Sequence, residues 1–306
     1  MLGFPSGSVS SQPAPSPRDA GGAGVVPVVP GSAGPSPIRS ARPMLDCMTT
    51  GETADSGKVA LVTGANKGIG FETARLLGER GMTVLAGSRD ADRGRKAVEE
   101  LVAGGVDAHA VRLDVTDEAS VEAAAAWIGG AYGRLDVLVN NAGIAPHSGF
   151  TAPTATGAQA LREAYETNVF GVVAVVAAVM PLLRAAEAAR IVNVSSEVGS
   201  IAAMTDPGHP LGRMPASLSY PSSKTALNMV TAMYAKELAD TPIKVNAANP
   251  GYCATDLNGR SGVRTAEQGA EVSVHLATLP ADGPSGVLWG HLMGRDDPDA
   301  CGVLPW

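Results

Sequence analysis

Tyr220 and Lys224 stand four residues apart, a spacing that puts both side chains on one face of a helix. A phenol with a pKa of about 10 exchanges protons slowly near neutrality, and an ammonium beside it favours the phenolate. Lowering that pKa by about two to three units is worth roughly 3–4 kcal/mol, within reach of a partly buried lysine and a second positive charge. Such a pair is suited to handing a proton to an oxygen that is gaining negative charge. Pro221 follows the tyrosine directly, so the helix has to begin there, with the proline in its first turn. Alone, a Tyr/Lys pair of this kind is ordinarily a solvated helix face, Ser195-Ser196 a strand-end turn and Asn168 a helix N-cap. What makes them candidates is their order behind a glycine turn.

That turn is Thr63-Gly64-Ala65-Asn66-Lys67-Gly68-Ile69-Gly70, between an apolar run and a helical pattern. Glycines at 64, 68 and 70 let the backbone bend sharply and approach a pyrophosphate, which then sits where free amides and the helix dipole favour anions. Further on, short apolar runs predict strands over 58–63, 82–87, 108–113, 135–140, 190–195, 243–249 and 286–290. Helical patterns fall near 69–80, 91–103, 117–130, 158–185, 218–239 and 263–279. Runs such as Val59-Ala60-Leu61-Val62 and Val137-Leu138-Val139 are apolar on both alternating faces, as strands covered on both sides must be. This alternation predicts an α/β protein with a single doubly wound parallel sheet, Rossmann-type, and helices on both faces.

From residue 58 onward the sequence resembles the short-chain dehydrogenase/reductase family, in its carbonyl-reductase-like, NADP-dependent branch. The resemblance rests on the Gly64/Gly68/Gly70 spacing, Asp114-Val115, Asn140-Asn141-Ala142-Gly143 and Asn168. It continues through Val192-Asn193-Val194-Ser195-Ser196, Tyr220-Pro221-Ser222-Ser223-Lys224 and the segment Asn249-Pro250-Gly251-Tyr252-Cys253-Ala254-Thr255-Asp256-Leu257. The resemblance implies hydride transfer between a nicotinamide and a carbonyl or alcohol, with Tyr220 as general acid/base. Lys224 would also hold the cofactor ribose, Ser196 the substrate oxygen, and Asn168 a water leading to Lys224. The implied cofactor contacts are Gly64, Asn66, Lys67, Gly68, Ile69, Gly70, Asp114, Val115, Asn141, Ala142, Gly143, Tyr220, Lys224, Pro250, Gly251 and Thr255.

For the choice of cofactor, the second strand ends Gly87-Ser88-Arg89, with Ser88 where NAD enzymes of this layout place an acid. Arg89 and Lys67 are two cations for a 2′-phosphate, and Asp90 is a counterweight if it turns inward. NADP(H) is the expected cofactor. Ser196 and Tyr220 are 24 residues apart, roughly twice the usual separation in the family, and the turn-rich insertion at 200–217 leaves monomer, dimer and tetramer open. Walls for a substrate pocket are expected from 144–150, 197–214 and 252–263. In these stretches Glu197, Arg213 and Arg260 read as solvated loop charges.

The chain has 306 residues, 45% of them apolar and 17% charged, with a net charge of -7. A net acidic chain without a Lys/Arg-dense block is a poor partner for nucleic acid or an anionic membrane. The run 169–183, interrupted by Pro181, suits a buried helix better than a membrane span. Cys47, Cys253 and Cys301 show no metal or disulfide spacing, and the five histidines (109, 147, 209, 275, 291) are dispersed. No metal site is expected, and the cysteine usage fits a reducing compartment, the cytoplasm. Residues 1–43 carry nine of the 22 prolines, so 1–55 is expected to be a disordered extension before a catalytic domain over 56–306. Met44 and Met48 are candidate alternative starts. The partner expected is a small carbonyl or alcohol, mostly apolar. A catalytically idle NADP-binding sensor on the same fold is the rival reading, but it gives no reason to keep Tyr220 and Lys224.

Overall fold

The computed structural model describes residues 55–146 and 151–306. Most of the expected extension, with Cys47, Met44 and Met48, lies outside the described residues, as do His147 and the rest of 147–150. The described chain opens with β1 (Val59–Val62), α1 (Gly68–Glu79), β2 (Thr83–Ser88), α2 (Ala91–Ala103), β3 (Ala108–Arg112), α3 (Glu118–Tyr132) and β4 (Val137–Asn140). A helical stretch follows as α4 (Ala158–Tyr165), a π turn over Glu166–Phe170 and α5 (Gly171–Ala185). Then come β5 (Arg190–Val194), α6 (Ile201–Thr205), α7 (Ser219–Glu237), β6 (Lys244–Asn249), α8 (Ala266–Ala277), β7 (Leu288–His291) and β8 (Cys301–Leu304).

The strands form one sheet in the order β3-β2-β1-β4-β5-β6-β7-β8, parallel throughout except that β8 runs antiparallel to β7. This is the expected Rossmann-type α/β sheet with one addition. The β8 segment was not legible as a strand, because Cys301-Gly302-Val303-Leu304 is short and half of it is exposed at the sheet edge.

Apolar residues on successive strand positions go to opposite layers. Leu61, Leu85, Leu138, Ile191 and Val245 meet α3, α5 and α7 on one face, through Ile128, Val175, Val179 and Leu227. Ala60, Val62, Val84, Val137, Val139 and Val192 pack on the other against Ala74 and Leu77 of α1 and Val274 and Leu276 of α8. The stretch Ala158–Ala185 is long and apolar enough to cross a membrane by length and composition. Val172, Val175, Val176, Val179 and Leu183 along it are nonetheless buried in the core.

The chain order reverses between β1 and β4, so the loops leaving these neighbouring strands diverge and open a crevice at their carboxyl ends. The glycine turn and the Asn140–Gly143 loop both start there.

Candidate active site

The glycine turn is built by two residues in left-handed backbone, Gly64 (φ 65°) and Gly68 (φ 58°), where a side chain would be strained. Asn66, Lys67 and Ile69 lie between and beside them. Lys67 takes the N-cap position of α1 without a side-chain cap, and no acidic residue stands in the first turn. By contrast Asp90, Asp117 and Thr265 cap α2, α3 and α8 with their side chains. The first amides of α1 are left for an anion, as a pyrophosphate requires.

The β4 loop is tied onto this turn. Thr63 Oγ1 accepts from the amides of Asn141 (3.0 Å) and Ala142 (2.9 Å), and Asn141 Nδ2 donates to the Thr63 carbonyl at 2.9 Å. Gly70 exists because of that strap: a Cβ there would stand 2.3 Å from Asn141 Nδ2 and 2.6 Å from the Gly64 carbonyl. Gly70→Ala is expected to cost about 1–3 kcal/mol by overpacking, read as a lower melting temperature together with weaker nucleotide binding. Unchanged values for both would separate the strap from the turn.

From the other side, Thr255 packs on the turn, its Cγ2 3.6 Å from where a Gly68 Cβ would be. Pro250 and Gly251 (φ 77°) begin the bend that carries it there. Asp114 closes an Asx turn on Thr116, accepting from its amide at 3.0 Å and its hydroxyl at 2.8 Å. Val115 meets the start of α5 so closely that a Cβ on Gly171 would lie 2.8 Å from Val115 Cγ2.

Ser196, Tyr220 and Lys224 are brought together where β5 ends and α7 begins. Helix α7 starts at Ser219, so Pro221 occupies its first turn. The Ser196 side chain faces the Tyr220 hydroxyl and favours its charged form. Lys224 is buried, with Nζ 5.6 Å from the Tyr220 ring centre, and donates to the Val194 carbonyl at 2.7 Å.

Burial pushes the Tyr220 phenol up to about 12, with the Ser196 side chain pulling against it, and pushes the Lys224 ammonium down to about 8. The sequence led us to expect an acidified phenol. In the protein alone the loss of water around both groups outweighs their attraction, and the ammonium spends its hydrogen bond on Val194 instead.

Asn168 falls in the π turn rather than at a helix start. Its Oδ1 accepts from the Ile144 amide at 2.8 Å, and its Nδ2 donates to the Ile144 carbonyl (2.9 Å) and Ser223 Oγ (3.0 Å). The side chain therefore fastens the β4 loop to α7. A Cβ on Gly143 would come 3.3 Å from Asn168 Oδ1 and 3.7 Å from Lys224 Nζ, so Gly143 keeps open the space between these two side chains.

At the end of β2 the cations part company. Arg89 is exposed, with no hydrogen bond or ion pair among the described residues. Asp90 turns to its own helix, accepting from the Arg93 amide at 3.0 Å. Lys67, read as a cation for a 2′-phosphate, is paired: its Nζ meets Asp256 at 2.8 Å, and Arg260 approaches the same carboxylate at 3.3 Å.

Sequence reasoning missed Thr63 and the buried amide ladder behind the site. In that ladder Asn140 donates to Asn193 (2.9 Å), Asn193 to Thr231 (2.9 Å), and Ser195 to Asn228 (2.6 Å). The signal was present as polar residues inside apolar strand and helix patterns, which must find partners when buried. The reading of Glu197 as a solvated charge is overturned, since it is 3% exposed. Arg213 and Arg260 are exposed, as read.

The profile of the short chain dehydrogenase family matches residues 58–265. The chain belongs to the short-chain dehydrogenase/reductase family of oxidoreductases and is carbonyl-reductase-like within it. It is 37% identical over 253 residues to short-chain dehydrogenase anuI of Penicillium roqueforti, covering 81% of this chain and 97% of that protein. To carbonyl reductase (NADPH) 1 of Bos taurus it is 34% identical over 272 residues, covering 76% and 96%. Among solved structures, the Pseudomonas aeruginosa RhlG/NADP active-site complex aligns with a TM-score of 0.66 at 28% identity, covering 76% of this chain and 94% of that one.

Proposed function

We propose that this protein is an NADP(H)-dependent oxidoreductase acting on a small, mostly apolar carbonyl or alcohol, with Tyr220 as its general acid/base. The observation that carries this reading is the meeting of Tyr220 and Ser196 with the buried Lys224, whose Nζ lies 5.6 Å from the Tyr220 ring centre, where β5 ends and α7 begins. The cofactor, when bound, supplies or takes up the hydride.

The chain's own groups do the rest. Ser196 offers a hydroxyl to the substrate oxygen and holds the Tyr220 phenol toward it. Tyr220 gives up its proton as charge develops on that oxygen, where transfer over hydrogen-bond distance is efficient. Lys224 sets the charge near the phenol and would hold the cofactor ribose. Asn168 fixes the β4 loop, and with it Gly143, against α7. Gly64, Asn66, Gly68, Ile69, Gly70, Asn141 and Ala142 shape the pyrophosphate end, with Pro250, Gly251 and Thr255 behind it. Asp114 and Val115 would border the adenine.

Preference for NADP(H) rests on Arg89, unpaired among the described residues, and on Asp90 being committed to its helix cap. Arg89→Asp is expected to lower the ratio of kcat/KM for NADPH to that for NADH by about tenfold or more, since a charge-assisted bond is replaced by repulsion. Because Asp256 competes for Lys67, Asp256→Asn should lower the KM for NADPH by about twofold to fivefold and leave that for NADH unchanged, as befits an exposed ion pair. Similar KM changes for both cofactors would remove Lys67 from the phosphate site. The reaction itself is tested by a screen of NADPH oxidation over chemically diverse ketones, aldehydes and quinones.

A further inference from the structure

The insertion after Ser196 and the carboxyl-terminal end of the chain line an open cavity of about 410 Å3. Its apolar wall includes Ala203, Pro210, Leu292, Met293 and Leu304, whereas Ser196, Tyr220 and Lys224 do not line it. Of the segments expected to wall a substrate pocket, 197–214 lines this cavity and 252–263 does not. The ionisable residues facing the cavity are Glu197, Asp206, His209 and Arg295.

Of these, Glu197 alone is buried. The Met293 amide faces its carboxylate and favours the charged form, and Oε2 is buried with no hydrogen-bond partner among the described residues. The fold does not need that acid, because the link from residue 197 to Asn249 Oδ1 is made by the backbone amide, at 3.1 Å. A buried acid oxygen without a partner, in the wall of a cavity large enough for an organic molecule, points to a ligand that brings the donor.

We propose that this cavity binds an amphipathic amine, its protonated nitrogen on the Glu197 carboxylate and its hydrocarbon body against Leu292, Met293 and Leu304. A cation is favoured over a neutral donor because charge-assisted hydrogen bonds are the stronger kind. Asp206 adds negative charge to the same wall. Arg295 is exposed to water, and His209 Nδ1 is taken up by the Leu211 amide at 3.2 Å. Burial lifts the Glu197 carboxyl to about 7. Binding of a cation then requires that proton to leave, and affinity must rise with pH up to that point and level off above it.

The test is calorimetric titration of the full chain with 4-phenylbutylamine, 4-phenylbutanol and 4-phenylbutyrate. The amine is expected to bind at least about tenfold more tightly than the other two. Its affinity should rise about fivefold from pH 6 to 7 and no more than about twofold from 7 to 8, with a proton released to buffer. Glu197→Gln should weaken amine binding at least about tenfold and flatten the pH profile. Ala202→Phe, which fills the cavity from α6, should abolish binding without lowering the melting temperature. Equal binding of amine and alcohol overturns the proposal, as does amine binding that survives both substitutions. If Glu197→Gln fails to fold, the ligand series, the pH profile and Ala202→Phe still decide.

Discussion

Tyr220→Phe is expected to lower kcat for carbonyl reduction by about 10²–10⁴-fold, the range that removal of a positioned acid costs. Nucleotide affinity should change by less than about threefold, because the glycine turn, the Asn141 strap and Lys224 are untouched. The substitution deletes one hydroxyl, and with it the interaction with Ser196. Its effect on stability is therefore confined to about 1 kcal/mol. Steady-state NADPH oxidation, paired with a nucleotide titration, separates the two effects. A Phe variant that keeps more than about a tenth of the parent turnover would show that the proton comes from elsewhere. Burial holds the phenol up near 12 in the protein alone, so the acid form prevails throughout the neutral range. The reverse reaction needs the phenolate, and its rate should therefore climb with pH where the rate of reduction does not.

Lys224→Met should produce a loss of the same order in turnover, about 10²-fold or more, while leaving the protein without cofactor at least as stable as the parent at pH 7. The reason is a buried charge. Lys224 is 4% exposed, and its ammonium is pushed from the usual 10.5 down to about 8, a burial cost of about 3 kcal/mol when it is protonated. Its hydrogen bond to Val194 is a part of the balance that methionine gives up, and the two alkyl stems pack alike.

The sign is definite. The folded-state pKa lies below the unfolded one, so between about 8 and 10.5 the unfolded chain holds the extra proton. Stability of the parent therefore rises with pH through that window and is level below it. In the methionine variant this rise should vanish. Denaturant melts at pH 7, 8, 9 and 10 read it directly, and a rise that persists in the variant would assign the titration to another group. Lys224 illustrates a functional residue held at the expense of stability.

The sheet and its helices were legible in the sequence for a simple reason. Strands covered on both faces must be apolar at every position, and Val59–Val62 and Val137–Asn140 are nearly so. The glycine turn was legible because only glycine adopts the backbone of Gly64 and Gly68 without strain, and Tyr220 and Lys224 because one helical turn fixes their relation.

The sequence could not report what depends on contacts between distant segments. Glu197 looks like a loop charge until Met293 and Asn249 close over it. Lys67 looks free until the β6 loop delivers Asp256 to it, and Asn168 looks like a cap until Ile144 and Ser223 take up its amide. The direction of the Tyr220 and Lys224 shifts belongs with these. Spacing sets the distance between two charges, but only the packed protein sets how much water remains around them, and here that loss of water outweighs their attraction.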